Sequence, residues 1–578
     1  MSIVRAGGHL LALTLALFSA LSLAAPPKAA PKYVAAQPLA EVVTTPVGAV
    51  APGPVQVPII TWGGDIATLL ANGNAKNTDK ASIFGKLGLN LRLAREDVFA
   101  KQLEAYLAGR SPYLRGTLGM MHLAVDATSR DARTRPVVIY QMTWSAGGDA
   151  LVVKSAIKSV KDLRGKTIAL QAYGPHVDYL AKVLADAGLS MKDVKLKWVA
   201  DLTGTANTPG SALADAGVDA ALAIIPDALA LTSRGTVGTG AEDSVKGARI
   251  LLTTKTANRI ITDVYAVRAD YLQANRSEVE NFVRGLLQGQ EALKQLVAAK
   301  GTRAAEFNKA MQAAAQILLD SAQAQADAEG MVSDAEFTPF AANQNFFEKK
   351  ETPRGFGQLN GEIQSALAGI GLTRGQAPLE HAKWDYARLS GNLQDTKLVE
   401  TPRFDTAQVA TVVTRKQQQG KLSEGELFSF EVFFKPNQDH FPAEQYQDAF
   451  KQVVNLATTY GGAIITVEGH SDPMGYLRQK KEGAVQVVLT RTQQSAKNLS
   501  LSRASAVREA VINYAKGRGA NLDPTQFAVV GHGIMQPRTG MCGADPCAPK
   551  SEQEWHSNMR VEFRIIQIEA ESSVFKPL

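Results

Sequence analysis

A fixed carboxylate in the last quarter of the chain has the surroundings of a binding group. Asp472 belongs to the sequence EGHSDPMG at positions 468–475 and follows the run AIITVE at 463–468. The β-branched run predicts a strand, and the glycines on either side of Asp472 predict a turn. A carboxylate held on such a turn is suited to bind an ammonium group.

An arginine follows this carboxylate at a spacing of 31 positions. In the sequence LSLSRA at 499–504, Ser500 predicts the N-cap of a helix that ends near Lys516. Arg503 would then lie in the first turn, where free N–H groups and the helix dipole favour an anion. An ammonium and a carboxylate on one carbon form the end group of an amino acid, so Asp472 and Arg503 together predict such a ligand.

Taken in order, these motifs resemble the OmpA-like C-terminal family over about residues 426–570. The resemblance continues through FAVVGHG at 527–533 and NMRVEFR at 558–564. It implies an α+β domain that binds the diaminopimelate stem of peptidoglycan, whereas an isolated Asp or Arg would mean only a surface turn or a solvated helix start. The positions that match the family's site and its flanks are Asp472, Arg503, Gly469, His470, Asn558 and Arg560.

The chain departs from the family pattern at three places. Met559 replaces an arginine of the last strand, and Ala496 stands where the family has an asparagine. About 15 extra residues lie between Tyr476 and Gln494. This insertion is expected to shield or widen the site and so to affect the choice of ligand.

The region between residues 55 and 395 alternates apolar strand-like runs with helical patterns. The alternation predicts an α/β domain with a mainly parallel sheet. The predicted strands are Pro58 to Trp62, Leu87 to Leu93, Gly165 to Leu170 and Gly217 to Ile225, and the clearest predicted helices are Val177 to Gly188 and Ser277 to Val297.

This middle region resembles the nitrate/sulfonate/taurine type of periplasmic solute-binding proteins. The run VKDLRGKTIA at 160–169, the following helix, and GVDAA at 217–221 carry the resemblance. It implies two α/β lobes that close on a ligand about a hinge. The alternative is a generic α/β domain in which the Gly-Lys pair is only a turn.

A ligand of such a domain is expected beyond the carboxyl ends of the strands. Glycine-rich loops there could present N–H groups to an anion, Trp62 could wall an apolar portion, and the aspartates argue against a purely anionic ligand. Each loop also suits a plain strand-to-helix turn. The candidate residues are Trp62, Gly63, Asp65, Ser145, Gly147, Gly148, Tyr173, Gly174, His176 and Asp227.

The N-terminal residues of the chain indicate export. Residues 1–24 read as a secretory signal peptide, with an uncleaved anchor as the alternative, and no later apolar run reaches transmembrane length. Residues 25–54 and 396–425 read as a flexible tether and a linker, and 571–578 as a tail. Cys542 and Cys547 predict a disulfide in an oxidising compartment, since two ligands are too few for a structural metal site.

The expected function is therefore capture of a small solute at the cell wall. A net charge of +7 over 578 residues suits anionic envelope polymers but is no nucleic-acid signature. We find no catalytic motif and expect no enzyme activity, metal or cofactor. The expected partners are peptidoglycan, an unidentified solute and an ABC-type importer permease, in a wall- or outer-membrane-associated periplasmic location. The alternative is a structural envelope adaptor whose solute-binding-like domain docks another protein.

Overall fold

The structure is a computed structural model that describes residues 31–241, 243–349, 352–375, 377–397, 404–420, 422, 426 and 429–566. The expected signal peptide and C-terminal tail lie outside the described residues.

The strands alternate with helices along most of the described chain. They are β1 Tyr33–Val34, β2 Val55–Ile59, β3 Leu91–Arg95, β4 Tyr113–Thr117, β5 Pro136–Ser145, β6 Asp149–Val153, β7 Thr167–Gln171, β8 Lys195–Val199, β9 Ala220–Ile224, β10 Arg249–Thr253, β11 Thr262–Arg268, β12 Ala335–Phe337, β13 Glu380–His381, β14 Ser429–Phe433, β15 Ile464–Gly469, β16 Phe527–Gly531, β17 Met541–Cys542, β18 Asp545–Pro546 and β19 Arg560–Ile566.

The α-helices range from single turns to a 31-residue helix near the C-terminus. They are α1 Leu39–Val42, α2 Gly64–Ala71, α3 Ile83–Lys86, α4 Phe99–Leu107, α5 Leu118–Thr128, α6 His176–Asp186, α7 Pro209–Leu213, α8 Ile225–Leu231, α9 Ala269–Ala274, α10 Arg276–Ala298, α11 Ala304–Leu318, α12 Gln325–Asp334, α13 Phe340–Glu348, α14 Phe356–Gly369, α15 Tyr386–Leu389, α16 Thr406–Gln418, α17 Gln447–Thr459, α18 Met474–Lys481, α19 Gln486–Lys516 and α20 Glu552–Ser557.

The first lobe is built on the sheet β12-β5-β11-β4, with β13 beside β5, and on the parallel pair β2 and β3. Helix α10 covers it because its apolar residues recur at helical spacing and are buried, as Phe282 and Leu286 show. Phe282 packs on Tyr113 and Tyr265 of the sheet with ring centroids 4.8 and 5.3 Å apart. Burying each such side chain contributes about 1.5–3 kcal/mol to folding.

The second lobe holds the sheet β1-β8-β7-β9-β6-β10. Strands β8, β7 and β9 run parallel, whereas β6 and β10 run against their neighbours. The two lobes confirm the expected α/β two-lobed architecture, but the sheets are mixed rather than mainly parallel. The reason is that the chain crosses between the lobes at residues 146–148 and again at 254–261, so the strand that leaves each crossover, β6 or β11, runs opposite to the strand beside it that leads to the other crossover.

The C-terminal domain is an α+β unit with the sheet β14-β19-β15-β16. Strands β15 and β16 are parallel, and β19 is antiparallel to both of its neighbours. Helix α19 packs across β15 and β16, and α17 packs on α19. The predicted disulfide between Cys542 and Cys547 is confirmed.

Two segments expected to be flexible are packed instead. Within the tether, β1 pairs with β8 and Leu39 is fully buried against α5, so residues 31–54 lie on the two lobes. Within the linker, the buried valines Val409, Val412 and Val413 of α16 cover β16, the edge strand of the C-terminal sheet. Both segments contain a short apolar face within an otherwise polar or proline-rich sequence, and this face could have predicted that they pack.

Several predicted boundaries are also wrong by a few residues. The strand expected from Leu87 begins only at Leu91, because Leu87 and Gly88 form a turn in which Gly88 has a φ of +78°. The largest difference is α19, which begins at Gln486 rather than near Ser500. No described helix is both long and apolar enough to cross a membrane.

Candidate functional site

A hydrogen-bonded network joins the two crossovers between the lobes. The Ser145 hydroxyl donates to Asp149 at 2.6 Å, and the Thr254 hydroxyl accepts the N–H groups of Gly147 and Asp149, each at 3.1 Å. His176 Nε2 lies 2.7 Å from the other oxygen of Asp149. The structure thus brings three predicted residues, Ser145, Gly147 and His176, together with Asp149, although the Gly147 N–H already has a partner.

Asp65 is held inside the first lobe. It forms a fully buried ion pair with Arg115, 2.8 Å from Nη2 to Oδ2, and Arg115 also binds Asp263 at 2.6 Å. Although burial disfavours the guanidinium cation, the carboxylates of Asp65 and Asp263 raise the pKa of Arg115 above its ordinary value. Two carboxylates thus share one arginine, and Asp65 serves the packing of the lobe.

Trp62 lies over the first crossover. Its indole N–H donates to the Thr143 hydroxyl at 2.9 Å, and a Cβ added to Gly148 would come within 2.6 Å of its ring. Gly148 therefore allows the close approach of the indole. The neighbouring Gly63 is packed on the Met331 carbonyl, which a Cβ would approach to 1.9 Å.

The remaining predicted solute residues are spread along the second lobe. The Tyr173 hydroxyl donates to the Gln37 carbonyl at 2.7 Å and so holds the N-terminal segment. Gly174 packs on the Gln171 side chain. Asp227 is half-buried in the first turn of α8, and burial raises its pKa.

A carboxylate without a hydrogen-bond partner on one oxygen lies between the lobes. Asp178, in the first turn of α6 of the second lobe, is 5% exposed and its Oδ1 has no partner. That oxygen lies only 2.2 Å from the position of a Cβ added to Gly119, which belongs to α5 of the first lobe. Burial raises the pKa of Asp178 to about 7. The buried Nδ1 of His176, two residues earlier, also lacks a partner.

No motif in the sequence predicts these last contacts. Asp334, beside Gly147, is a further carboxyl group at the crossover whose pKa burial raises to about 6. Together with Asp149, Asp178 and Asp263, it makes the junction of the lobes rich in carboxylates. Residues far apart in sequence meet here, and only the fold shows this.

Arg503 is the centre of the candidate wall site. It is 1% exposed and donates to the carbonyl oxygens of Gln438, His470 and Lys435 at 2.7, 3.1 and 3.1 Å. Its guanidinium carbon lies 5.1 Å from the ring centroid of Phe434. Burial lowers the pKa of Arg503 to about 10, so it remains a cation at neutral pH.

The predicted helix N-terminus beside Arg503 is absent, because α19 runs on through this point from Gln486. Ser500 is an interior helix residue whose hydroxyl donates to the Lys497 carbonyl. The physical reason is that no glycine or proline interrupts residues 484–516, so the inserted residues extend the helix. The positive charge at this site therefore comes from the guanidinium alone.

Asp472 lies close to Arg503 without forming an ion pair with it. It is half-buried and accepts the Met474 N–H at 3.1 Å. It lies two residues after His470, whose carbonyl oxygen accepts a hydrogen bond from Arg503. Burial raises the pKa of Asp472, and the charge of Arg503 opposes this. Among the described residues, no carboxylate forms an ion pair with the Arg503 guanidinium, although the nearby charges of Asp439 and Asp472 partly offset the effect of burial on its pKa.

The other predicted wall residues support the loops of this domain. Gly469 packs on the Ser500 carbonyl, which a Cβ would approach to 1.8 Å. Asn558 is fully buried and accepts the Arg538 N–H at 2.6 Å. Arg560 donates to Glu562 at 2.6 Å inside the sheet.

His470 belongs to a buried polar cluster with Glu468 and His532. His532 Nε2 lies 2.9 Å from Glu468, and the two imidazole rings stack with centroids 4.8 Å apart and planes 19° apart. One ring nitrogen of each histidine and a carboxylate oxygen of Glu468 lie within 4.8 Å of one another. His470 Nδ1 lies 3.0 Å from the Gln536 carbonyl, and its pKa is lowered, chiefly by burial.

One protein-family model matches part of the chain. Residues 137–296, which span both crossovers and the second lobe, match the family described as NMT1/THI5 like. No curated protein matches the chain.

Solved structures of two classes resemble the chain. An alkanesulfonate-binding protein SsuA from Xanthomonas axonopodis pv. citri bound to MOPS is 19% identical, with 56% of this chain and 96% of that chain covered and a TM-score of 0.38. The aliphatic sulphonate binding protein SsuA from Escherichia coli is 15% identical, with 58% and 96% covered and a TM-score of 0.37. The peptidoglycan-associated lipoprotein from Burkholderia pseudomallei is 20% identical, with 24% and 89% covered and a TM-score of 0.17.

Proposed function

We propose that this chain is a periplasmic solute-binding protein whose C-terminal domain holds it on peptidoglycan. The proposal for the lobes rests chiefly on Asp178, an unpartnered carboxylate oxygen buried where α6 of one lobe meets α5 of the other. A buried charge without a partner is costly, so such a group at a lobe junction is a candidate ligand contact. The match of residues 137–296 to a family model agrees with a binding domain.

The carboxylate-rich junction favours a solute that carries a positive charge. The carboxyl groups of Asp149, Asp178 and Asp334 lie near the crossovers and outnumber the cation Lys255 beside Asp334, while Arg115 is already shared by two carboxylates. A sulfonate or another simple anion would be repelled there. We therefore propose a small zwitterionic or cationic solute whose ammonium group binds Asp178, followed by transfer to an ABC-type importer or by sensing.

A thermal-shift screen of the mature chain tests this proposal. A solute that closes the lobes should stabilise the fold by about 2.7 kcal/mol at a hundredfold excess over Kd. Amino acids and polyamines should do so and sulfonates should not. Asp178→Asn should weaken binding by about 30-fold, since an ammonium group then lacks its charged partner. Asp193→Asn, a carboxylate on the surface of the same lobe, is the matched control. The proposal fails if no solute class raises the melting temperature.

For the wall, we propose that Arg503 and Asp472 bind the two charged groups at the end of the diaminopimelate stem. The supporting observation is a buried arginine that is held by three carbonyl oxygens and forms no ion pair with a described carboxylate. A ligand carboxylate would supply the missing counter-charge, and Asp472 would receive the ammonium.

Retention on purified cell-wall sacculi tests the wall assignment. Either Asp472→Ala or Arg503→Lys should cost about 2 kcal/mol of binding, close to 30-fold, because the first leaves the ligand ammonium unpaired and the second loses the hydrogen-bond geometry offered to the ligand carboxylate. Arg503→Lys keeps the positive charge in the fold but loses the guanidinium geometry. Asp448→Ala, an exposed acidic residue in the first turn of α17, is the control. Equal retention of all variants would refute the assignment.

A second function, a structural adaptor with fixed lobes, is favoured by one observation. Helix α14 packs on α5 of the first lobe and on α6 of the second, and it thus bridges the two lobes. If scattering shows the same shape with and without every solute tested, the adaptor function replaces solute capture.

A further inference from the structure

The inserted residues of the C-terminal domain form a helical arm, defined here as residues 474–498. Helix α18 begins directly after Pro473, and the chain returns in the first turns of α19. The two helices are held together by Tyr476 and Leu489, which are buried together with Ile534. The arm is therefore a packed helical hairpin that follows immediately on the candidate wall residue Asp472.

A disulfide-closed hairpin braces this arm. Asp545 of β18 accepts a hydrogen bond from the Tyr476 hydroxyl at 2.9 Å and from Lys480 Nζ at 2.6 Å. Strands β17 and β18 pair between Cys542 and Cys547, which are bonded to each other. Since both anchoring contacts converge on one cross-linked hairpin, the arm has a fixed orientation on the domain.

The tip of the arm is apolar and exposed. Val485, Val487 and Val488 are 68%, 63% and 39% exposed and lie within four positions of one another. Single exposed valines are ordinary on protein surfaces, but three together at the end of a projecting hairpin are not required by packing. The folded chain leaves this apolar tip in contact with solvent.

The sides of the arm are basic. Its exposed cations outnumber its single acidic residue, Glu482, by five to one. These cations are Arg478, Lys480, Lys481, Arg491 and Lys497. Only Lys480 has an ion pair with a described residue, Asp545, so the arm presents a net positive surface around the valines.

We propose that the arm docks on an anionic phospholipid bilayer. Valines at the tip would enter the interfacial layer, and the surrounding lysines and arginines would bind lipid phosphates, which is the arrangement of interfacial membrane anchors. A glycan is a poorer match, because the tip has no aromatic residue with which to stack on a sugar ring, whereas the excess of exposed cations around the valines matches the charge of an anionic lipid surface.

The continuous helix sets the distance between the membrane surface and the wall site. Val487 and Arg503 lie on the same unbroken helix, α19. At the usual rise per residue, the tip stands about 24 Å along the helix axis from Arg503. The C-terminal domain would thus contact lipid with its arm while the candidate wall site around Arg503 binds peptidoglycan.

Sedimentation of the mature chain with lipid vesicles tests this proposal. Vesicles of phosphatidylglycerol and phosphatidylethanolamine should bind the protein, and binding to pure phosphatidylcholine should be at least about tenfold weaker. Binding should fall further as salt is raised, since the lipid charges are screened. The triple substitution of Val485, Val487 and Val488 by Ser should weaken binding by about tenfold or more, as should Lys481→Glu combined with Arg491→Glu.

Two control variants test whether any loss of vesicle binding is specific to the arm. Val237→Ser and Lys309→Glu change an equally exposed valine and lysine elsewhere and should bind as the wild type does. All substituted positions are exposed, so circular dichroism should show an unchanged fold. Equal binding to neutral and anionic vesicles would overturn the proposal. So would arm variants that keep vesicle binding but lose sacculus retention, because the arm would then be a wall-binding surface.

Discussion

At the residue scale, the two candidate sites differ in how their charges are balanced. In the C-terminal domain, Arg503 is a buried cation surrounded by neutral carbonyl oxygens, with Asp472 nearby but unpaired. Between the lobes, Asp178 is a buried acid with one unpartnered oxygen. Each site therefore lacks the charge that the proposed ligand would bring, and each is expected to cost stability in the free protein.

The raised pKa of Asp178 predicts a pH-dependent stability. Between about pH 4 and its folded-state pKa of about 7, the folded protein holds a proton on Asp178 that the unfolded chain has released. The free energy of unfolding should therefore fall as the pH rises through this window, by on the order of 2–4 kcal/mol. Asp178→Asn should remove this contribution. The stability of the variant, measured relative to the wild type at the same pH, should therefore be higher at about pH 8 than at about pH 5.

Urea unfolding at several pH values measures this effect. Asp193→Asn serves as the control, because hydrogen bonds from Ser190 hold the pKa of Asp193 below its ordinary value. Because a carboxylate with a lowered pKa stabilises the fold above its unfolded-state pKa, Asp193→Asn should lower the free energy of unfolding above about pH 4, which is the opposite of the effect of Asp178→Asn. Parallel stability curves for Asp178→Asn and the wild type would contradict the predicted pKa.

At the element scale, the sequence predicts strands and helices best where one periodicity is uninterrupted. Helix α10 was predicted within a residue at each end because its apolar residues repeat at helical spacing over 23 residues. The strand near Leu87 and the start of α19 were misplaced for opposite reasons. A turn at Gly88 shortened the strand, whereas the absence of any breaker between residues 484 and 516 lengthened the helix.

The candidate sites were predicted unevenly for a related reason. Asp472 and Arg503 belong to local motifs, so the sequence alone singled them out. Asp178, Arg115 and Thr254 lie in no motif, and their contacts with residues far along the chain appear only in the folded structure. Asp65 was expected to face a ligand, but its pairing with Arg115 depends on a strand 50 positions further along the chain. Turns can be predicted from neighbouring residues, whereas ion pairs between residues far apart in the sequence cannot.

At the scale of the whole molecule, the C-terminal domain is docked on the hinge between the lobes. The Gly462 N–H donates to the Thr256 carbonyl and the Arg259 N–H donates to the Thr459 carbonyl, both at 3.2 Å. The buried Tyr460 hydroxyl donates to Asp186 of the second lobe at 3.0 Å. One helix end of the C-terminal domain thus contacts the second crossover and one lobe together. Movement of the lobes and orientation of the C-terminal domain are therefore expected to be linked.

Breaking this contact should separate the domains and loosen the lobes. A Cβ added to Gly462 would lie 1.7 Å from the Lys255 carbonyl oxygen, so Gly462→Val cannot be accommodated without moving the docked backbones apart. Calorimetry should then show two transitions in place of one cooperative transition, and scattering should show a larger radius of gyration. Tyr460→Phe, which removes only the hydrogen bond to Asp186, should cost about 1–3 kcal/mol while leaving one transition.

Gly301→Val is the matched control, since no atom lies within 4 Å of the added Cβ there. It should leave the calorimetric transition and the scattering curve unchanged. If Gly462→Val instead unfolds in one transition with the radius of the wild type, the domains are coupled through other contacts and the hinge is not held by this one. If it separates the domains but leaves solute affinity unchanged, docking and lobe closure are independent. We expect weaker solute binding, because the docking contacts are formed with the lobes packed together and their loss removes stabilisation from that arrangement.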